Sequence, residues 1–187
     1  MSASGFYFYF GTSSGWISAI IRWFSRSGYL SHMAGRFTGL TPLVLSAEGE
    51  GVELFTEAKY FKLNNVNAIV QPVSGPLADW AGCAKLMAWA IEEFLGQGYD
   101  YLAAGAVGAE NRINDSIAEW LAAHESKERV HCTELWVKVL QKAEYACVAD
   151  FAPATTDTRE LLQALARSAE FNIEWIHPGL AKEIGIG

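Results

Sequence analysis

Cysteine is scarce in this chain of 187 residues, which contains only Cys83, Cys132 and Cys147. Three scattered cysteines are too few for a disulfide framework and form no CxxC zinc motif, so we expect reduced thiols. A metal site formed by His131, Cys132 and Glu134 would need a further ligand cluster, and the sequence shows none. We therefore expect no metal and no cofactor.

Positive charge is scarce as well. The chain has 14 Lys and Arg against 21 Asp and Glu, which gives a formal net charge of -7. Binding to nucleic acids and binding to anionic membranes both depend on clustered positive charge, so the composition argues against these partners.

Long hydrophobic runs are absent too. The apolar stretch near the N-terminus is interrupted by polar residues and by Arg22, well short of a membrane span, and no basic leader precedes it. We expect no integral membrane segment and no export signal, and the missing signal predicts a cytoplasmic location. Delivery by a phage or secretion apparatus would place the protein elsewhere.

Apolar residues make up 51% of the chain, and its length suits one domain over residues 1–187 with a sizeable core. Short aromatic or β-branched runs bounded by Gly, Pro or Asn predict strands, and apolar residues at three- and four-residue intervals predict helices. We predict an α+β domain with an antiparallel sheet, in which the strands between residues 31 and 73 form a meander. The predicted strands cover residues 6–10, 31–37, 43–47, 51–58 and 67–73, and the predicted helices cover residues 17–24, 76–96, 132–140 and 156–171.

The segment VHCTELWVKVL, residues 130–140, places Cys132 in the first turn of a predicted helix. At a helix start the free backbone N–H groups and the positive end of the helix dipole favour an anion, so a thiolate there has a lowered pKa. The N–H of Cys132 is also a ready donor to the oxyanion formed in acyl transfer. We interpret Thr133 and Glu134 as first-turn residues that satisfy the helix end.

A cysteine nucleophile needs a base, which is usually a histidine distant in sequence and close in space. His131 adjoins Cys132, but neighbouring residues project in different directions, so a contact between them would be strained. His124 lies in a charged stretch that suits solvent, and His177 precedes a proline in the C-terminal tail. His32 opens a predicted strand, so its ring can stand on a rigid sheet face, and we predict that His32 is the base.

Four short motifs occur in an order that resembles a known family. They are LSHMAGRF (30–37), VLSAEGEGV (44–52), GYDYLA (98–103) and HCTELW (131–136). Together they resemble the circularly permuted papain-like cysteine hydrolases of the NlpC superfamily, in particular the YiiX/YebB-like group. In ordinary papain-like enzymes the cysteine helix precedes the histidine strand, and the reverse order here is the one that permutation implies. The resemblance implies a papain-like α+β fold, with a central antiparallel sheet or partial barrel flanked by helices.

Carried over by position, the resemblance implies that Cys132 is the nucleophile and His32 the base. The residue that orients the imidazole departs from the family pattern, because Ser46 stands where many relatives have an acid. Alternation along the strand puts Ser46 and Glu48 on one face, so Glu48 can reach the ring from one step further along. We predict Glu48 as this acceptor, with Ser46 and Glu50 as alternatives. Such an acceptor fixes the ring tautomer and stabilises the imidazolium.

Two residues are assigned to the substrate-binding part of the site, Tyr29 and Ser46. Tyr29 stands three residues before His32, where its hydroxyl would be a second donor to the oxyanion, and the alternative for its ring is packing. Cys83 and Cys147 are interpreted as unreactive, buried thiols.

The sequence therefore predicts a thiol hydrolase that cleaves an amide or ester bond through an acyl-enzyme on Cys132. Relatives act on peptides, cell-wall peptides, acyl lipids and thioesters, so the resemblance implies a small-molecule, peptide or lipid substrate without choosing among them. Two alternatives remain open. One is a catalytically inactive member of the fold that binds a ligand or partner, which Ser46 in place of an acid would explain. The other is an acyltransferase that resembles the lecithin retinol acyltransferase branch and uses the same residues.

Overall fold

The structure is a computed structural model that describes residues 5–13, 18–19, 22, 27–38, 41–100 and 129–186. In this part of the chain the strands are β1 (Tyr7–Ser13), β2 (His32–Thr38), β3 (Pro42–Glu48), β4 (Gly51–Thr56), β5 (Asn64–Pro72), β6 (Gly98–Tyr99), β7 (Arg129–Val130) and β8 (Phe171–Ile176). The helices are α1 (Glu57–Leu63), α2 (Trp80–Phe94), α3 (Cys132–Lys142), α4 (Thr158–Arg167) and α5 (Pro178–Ile184), with a short 3-10 helix at Ala146–Val148. None of these helices is long and apolar enough to cross a membrane.

Six strands form one antiparallel sheet in the order β4-β3-β2-β1-β5-β8, which confirms the predicted α+β class. The predicted meander is confirmed for β2, β3 and β4, which pair in sequence. It is wrong for β5, which pairs with β1 on the side away from β2 instead of pairing with β4. The strands β6 and β7 form a separate two-stranded parallel ladder.

The helix α1 explains this departure from the meander. The strand predicted over residues 51–58 ends at Thr56, whose side chain accepts a hydrogen bond from the Lys59 N–H at 3.3 Å and so caps α1. The helix packs on the sheet through Tyr60 before β5 begins. Seven residues with this one buried side chain give too little periodicity for the sequence to predict a helix here.

The two faces of the sheet bury different side chains. Phe8 and Phe10 of β1 point into the main core, which the larger helices cover. Tyr9 lies between them in sequence and points to the opposite face, where its ring stacks on Tyr60 of α1 with the centroids 5.9 Å apart. This alternation is the period of two that a strand requires. The smaller cluster on the α1 face consists of Tyr9, Ala34, Val44, Phe55 and Tyr60.

Helix α3 is buried along most of its length and lies against β2. The indole of Trp136 packs edge-on against the rings of Phe6 and Phe8, with centroids 5.8 and 5.4 Å apart. The strand opposite the indole has Gly35, where a Cβ would lie 2.1 Å from Trp136 Cη2. Since only a residue without a side chain permits this approach, Gly35 sets the distance between α3 and β2.

The starts of the other helices lie near their predicted positions, but the helix predicted to residue 171 ends at Arg167, because Phe171 begins β8. Helix α2 begins directly after its Asp79 cap, a few residues beyond Pro76, and the chain turns after it at Gly96, whose φ is 84°. Asp157 caps α4, as the sequence predicts. The helix predicted over residues 17–24 lies largely outside the described residues. Strand β8 and helix α5 have no counterpart among the sequence-based predictions.

We expect Gly35→Ala to destabilise the protein by about 1–3 kcal/mol, because the new methyl group overlaps the Trp136 indole and overpacking of a core has costs of this size. Denaturant unfolding measures the change. Gly28→Ala is the matched control, because a Cβ at Gly28 meets nothing within 4 Å. An unchanged unfolding midpoint for Gly35→Ala would contradict the close approach of α3 to β2.

Candidate active site

The packing of α3 on β2 brings together two residues that are distant in the sequence. Cys132 is the first residue of α3, and His32 is the first residue of β2. Both are buried, with 3% and 4% of their surface exposed. The imidazole of His32 lies within hydrogen-bonding reach of the Cys132 thiol, so the predicted nucleophile and the predicted base are neighbours.

The other side of the His32 ring contacts β3. Its Nε2 lies 2.8 Å from Ser46 Oγ and 3.1 Å from Glu48 Oε1, and the Ser46 hydroxyl donates to the same Glu48 oxygen at 3.0 Å. Because Nε2 is engaged in this way, Nδ1 is the ring nitrogen left for Cys132. Of the three candidates for the orienting residue, Ser46 and Glu48 both contact the ring, whereas Glu50 lies in the exposed turn after β3.

Alternation along β3 explains why two of its residues reach the ring. Val44 belongs to the cluster on the α1 face, whereas Leu45 and Ala47 belong to the main core. Ser46 and Glu48 follow Val44 at intervals of two and therefore point to the same face as Val44. The sequence-based assignment of these residues to the two faces agrees with the structure.

His131 caps α3 and also lies beside Cys132. Its Nδ1 accepts a hydrogen bond from the Glu134 N–H at 3.4 Å, and its Nε2 donates to the carbonyl oxygen of Ala154 at 3.1 Å. The Glu134 side chain accepts from the His131 N–H, also at 3.4 Å, which completes a capping box. His131 also lowers the pKa of Cys132, but both of its ring nitrogens hold the helix start, whereas His32 keeps one nitrogen for the thiol. This difference favours His32 as the base.

Burial and charge together set the protonation of the pair. Burial raises the pKa of a thiol, but the neighbouring imidazoles of His131 and His32 hold the pKa of Cys132 well below its usual range. Burial also opposes the charged form of His32, but the Glu48 carboxylate and the Cys132 thiol raise its pKa to about 10. Burial raises the pKa of Glu48, but the charge of His32 and its hydrogen bond lower it below its usual value. The pKa shifts of Cys132 and His32 both favour a Cys132 thiolate beside a His32 imidazolium.

Three residues that the sequence analysis did not assign to the site also line it. The Tyr99 hydroxyl lies 4.0 Å from the cysteine sulfur, and the Tyr60 ring lies beside that of His32 with the centroids 6.1 Å apart. Asn64 donates from Nδ2 to Glu48 Oε1 at 3.1 Å. The GYDYLA motif was an available signal for Tyr99. No sequence pattern points to Tyr60 or Asn64, because both depend on the unpredicted helix α1.

Tyr29 packs at the start of the C-terminal helix. Its ring lies on that of His177 with the centroids 4.8 Å apart, and its hydroxyl lies 2.1 Å from where a Cβ on Gly179 would be. These contacts match the packing alternative for Tyr29, and its role as an oxyanion donor stays a prediction. His177 caps α5, with its Nδ1 accepting from the Gly179 N–H at 3.1 Å. His124 lies outside the described residues.

The other two cysteines lie in different surroundings. Cys83 is buried within α2, and Cys147 is partly buried in the 3-10 helix. Burial raises the pKa of the Cys147 thiol, which opposes the formation of a thiolate. Neighbouring groups hold the pKa of Cys132 well below its usual range, in contrast to that of Cys147.

No group of three or more His, Cys, Asp and Glu side chains among the described residues is arranged to hold a metal ion. Comparison of the chain with models of known protein families found no match, and comparison with curated proteins found none either. The support for a function is therefore the chemistry of the site itself.

We expect Glu48→Gln to lower the pKa of His32 from about 10 toward its ordinary value of 6.5. Burial lowers this pKa, and the negative charge of Glu48 is the largest effect that raises it. A nitrogen-15 NMR titration of the imidazole measures this pKa. Glu50→Gln removes the same charge from the adjoining turn and should leave the titration unchanged. An equal decrease in both variants would show that net charge, and not contact with Glu48, raises the pKa of His32.

Proposed function

We propose that the protein is a thiol hydrolase in which Cys132 is the nucleophile, His32 the general base, and Glu48 with Ser46 the acceptor that orients the ring. One observation carries this proposal. The His32 imidazole stands between a thiol at a helix start and a carboxylate, with Nε2 on the carboxylate side and the other nitrogen left for the thiol. A cysteine that only fills space in a core needs no such partners.

Acylation follows from this arrangement. The Cys132 thiolate attacks the carbonyl carbon of an amide or ester, and the electron pair of the C=O bond moves to the oxygen. The N–H of Cys132 donates to this oxyanion, because the first residue of a helix has no intrahelical acceptor for it. The C=O bond then reforms and the bond to the leaving group breaks, as the His32 imidazolium gives its Nδ1 proton to the leaving amine or alcohol. The products are a Cys132 thioester and a neutral ring.

Deacylation returns the proton to the ring. Neutral His32 takes a proton from water as the water oxygen attacks the thioester carbon, and the Cys132 thiolate leaves with its electron pair to release a carboxylic acid. Ser46 and Glu48 hold the Nε2–H throughout, so only Nδ1 exchanges protons. An amine or alcohol in place of water makes the same residues an acyltransferase, and the identity of the product distinguishes the two reactions.

The order of the elements supports a circularly permuted papain-like fold. The histidine strand β2 precedes the cysteine helix α3 in the chain, and α3 lies against the antiparallel sheet. This is the arrangement that the resemblance to the NlpC superfamily implies. The proposed substrates are accordingly amides of peptides or cell-wall peptides, and acyl groups of lipids or thioesters.

A catalytically inactive domain that binds a ligand is the rival interpretation, and it depends on Ser46 standing in the place of an acid. The contact of His32 Nε2 with Glu48 at 3.1 Å opposes that interpretation, because a carboxylate reaches the ring in spite of the serine. The low pKa of Cys132 opposes it as well, since a binding domain has no need of a thiolate.

We expect iodoacetamide to label Cys132 faster than Cys83 or Cys147 and to do so even at pH 6. An ordinary thiol has a pKa of about 8.5, and its thiolate population falls roughly tenfold for each pH unit below that value. Because the pKa of Cys132 is lowered, its thiolate population falls only at a lower pH. Labelling of Cys132 therefore stays fast in neutral and mildly acidic solution. Peptide mapping of the labelled protein over a pH series measures the rates. Equal labelling of all three thiols would refute the proposal.

Two histidine variants distinguish the proposed general base, His32, from the residue that caps α3, His131. His32→Ala removes the charge beside the thiol, so we expect labelling of Cys132 at pH 6 to fall about tenfold or more. His131→Asn removes the second imidazole but keeps a residue type that caps helices well, so we expect a smaller loss and little change in melting temperature. A larger loss in His131→Asn than in His32→Ala would assign the base to His131 instead.

Mass spectrometry of the intact protein identifies the acyl donor. Incubation with libraries of peptides, muropeptides and thioesters should add a defined mass to Cys132 and release a product. Cys132→Ser should abolish turnover while the fold persists, because oxygen is close to sulfur in size and a far weaker nucleophile at neutral pH. Rapid labelling of Cys132 together with no turnover of any library would favour the ligand-binding interpretation.

A further inference from the structure

Asn64 occupies a buried position between α1 and β5. It ends α1 and begins β5, and 5% of its surface is exposed. Its backbone N–H bonds to the Tyr60 carbonyl oxygen, and its side-chain Nδ2 donates to the same oxygen at 3.4 Å. On the β5 side it pairs with Ser13 of β1. The helix end and the sheet therefore fix the Asn64 amide independently of its contact with the candidate site.

The same amide nitrogen contacts the candidate site. Asn64 Nδ2 donates to Glu48 Oε1 at 3.1 Å, and this oxygen also accepts from Ser46 Oγ at 3.0 Å and lies 3.1 Å from His32 Nε2. Three donors from β2, β3 and the junction of α1 with β5 thus meet at one carboxylate oxygen. Three donors are more than the two lone pairs of one oxygen, so its hydrogen-bonding capacity is fully used and its position is fixed.

The orientation of the Asn64 amide is determined by its partners. Both atoms near Nδ2, the Glu48 carboxylate oxygen and the Tyr60 carbonyl oxygen, are acceptors, so the reversed amide would set oxygen against oxygen. The reverse side of the amide, Oδ1, is buried without a hydrogen-bond partner among the described residues. A buried acceptor without a partner, such as Oδ1, costs stability. That this orientation is nevertheless adopted indicates that the side chain at this position is needed for its Nδ2 donor.

The location of Glu48 explains why its carboxylate needs this support. Glu48 is the last residue of β3, directly before a turn, and 17% of its side chain is exposed. A glutamate has several rotatable side-chain bonds, so packing at a strand end does not confine it by itself. Against the effect of burial, hydrogen bonds from His32, Ser46 and Asn64 lower the pKa of Glu48 and favour the ionised form.

We propose that Asn64 is a positioning residue of the candidate active site. It holds Glu48 Oε1 where that atom orients the His32 ring and stabilises its charge, and through the ring it sustains the Cys132 thiolate. This role depends on the proposed function of Cys132 and His32, and it adds a side chain that touches neither the thiol nor the imidazole. Asn64 therefore acts entirely through Glu48.

Asn64→Ala tests this role, with Asn65→Ala, a change at the adjacent exposed residue, as the matched control. We expect Asn64→Ala to move the titration midpoint of His32, followed by nitrogen-15 NMR, about one pH unit lower and to slow iodoacetamide labelling of Cys132 at pH 6 up to about tenfold. Asn65→Ala should match the parent in both. If Asn64→Ala does not fold, Asn64→Ser replaces it, because serine is too short to reach Glu48.

A double-mutant cycle shows whether Asn64 acts through Glu48. In a Glu48→Ala background, Asn64→Ala should change neither the His32 midpoint nor the labelling rate any further. Equal losses in both backgrounds would overturn the role, because Asn64 would then support the site only through the fold. An Asn64→Ala variant that behaves like Asn65→Ala would overturn it too.

Failure of the proposed function would look different. If Cys132 of the parent is not labelled selectively, the hydrolase proposal falls, while the titration of His32 still reports whether Asn64 holds Glu48 in place. If Cys132 is labelled selectively and the His32 midpoint does not respond to Asn64→Ala, only the role of Asn64 falls.

Discussion

The close approach of α3 to β2 is the constraint on which the candidate site depends. The Trp136 indole lies directly over the backbone of Gly35, where the smallest side chain would collide with it. Cys132 stands about one turn before Trp136 at the buried start of the same helix, so the contact that fixes the indole also fixes the thiol relative to His32. Close packing of this kind resists deformation, which keeps the candidate nucleophile and its candidate base at a constant separation.

Charges of alternating sign extend from that contact across three elements. A thiolate on α3, an imidazolium on β2 and a carboxylate on β3 each lie in buried surroundings. Ionising any one of them alone would be costly, and the ionised form of each is favoured by the opposite charge of its neighbour. Ser46 and Asn64 complete the carboxylate end with hydrogen bonds, and the capping box of His131 completes the thiol end. Removal of one member leaves a buried charge unpaired, so the members depend on one another.

Sequence patterns predicted the positions of Cys132 and His32 better than those of the residues around them. Cys132 began a periodic segment and His32 opened a predicted strand, and both have these positions in the structure. Alternation placed Ser46 and Glu48 on one face, with Glu48 predicted as the acceptor and Ser46 as an alternative, and both contact the ring. Asn64 carried no signal at all. Its contact with the carboxylate depends on a seven-residue helix with a single buried side chain, which is too short to produce a readable period.

The sequence by itself determined the local structure, including the helix start at Cys132 and the assignment of Ser46 and Glu48 to one strand face. These features depend on caps and on neighbouring residues, so a short window contains the information. Only the tertiary structure decided that β5 pairs with β1 and that Asn64 meets Glu48, because such contacts require surfaces from distant segments to fit. The protonation states of Cys132 and His32 belong to the second group as well, since burial and neighbouring charge set them.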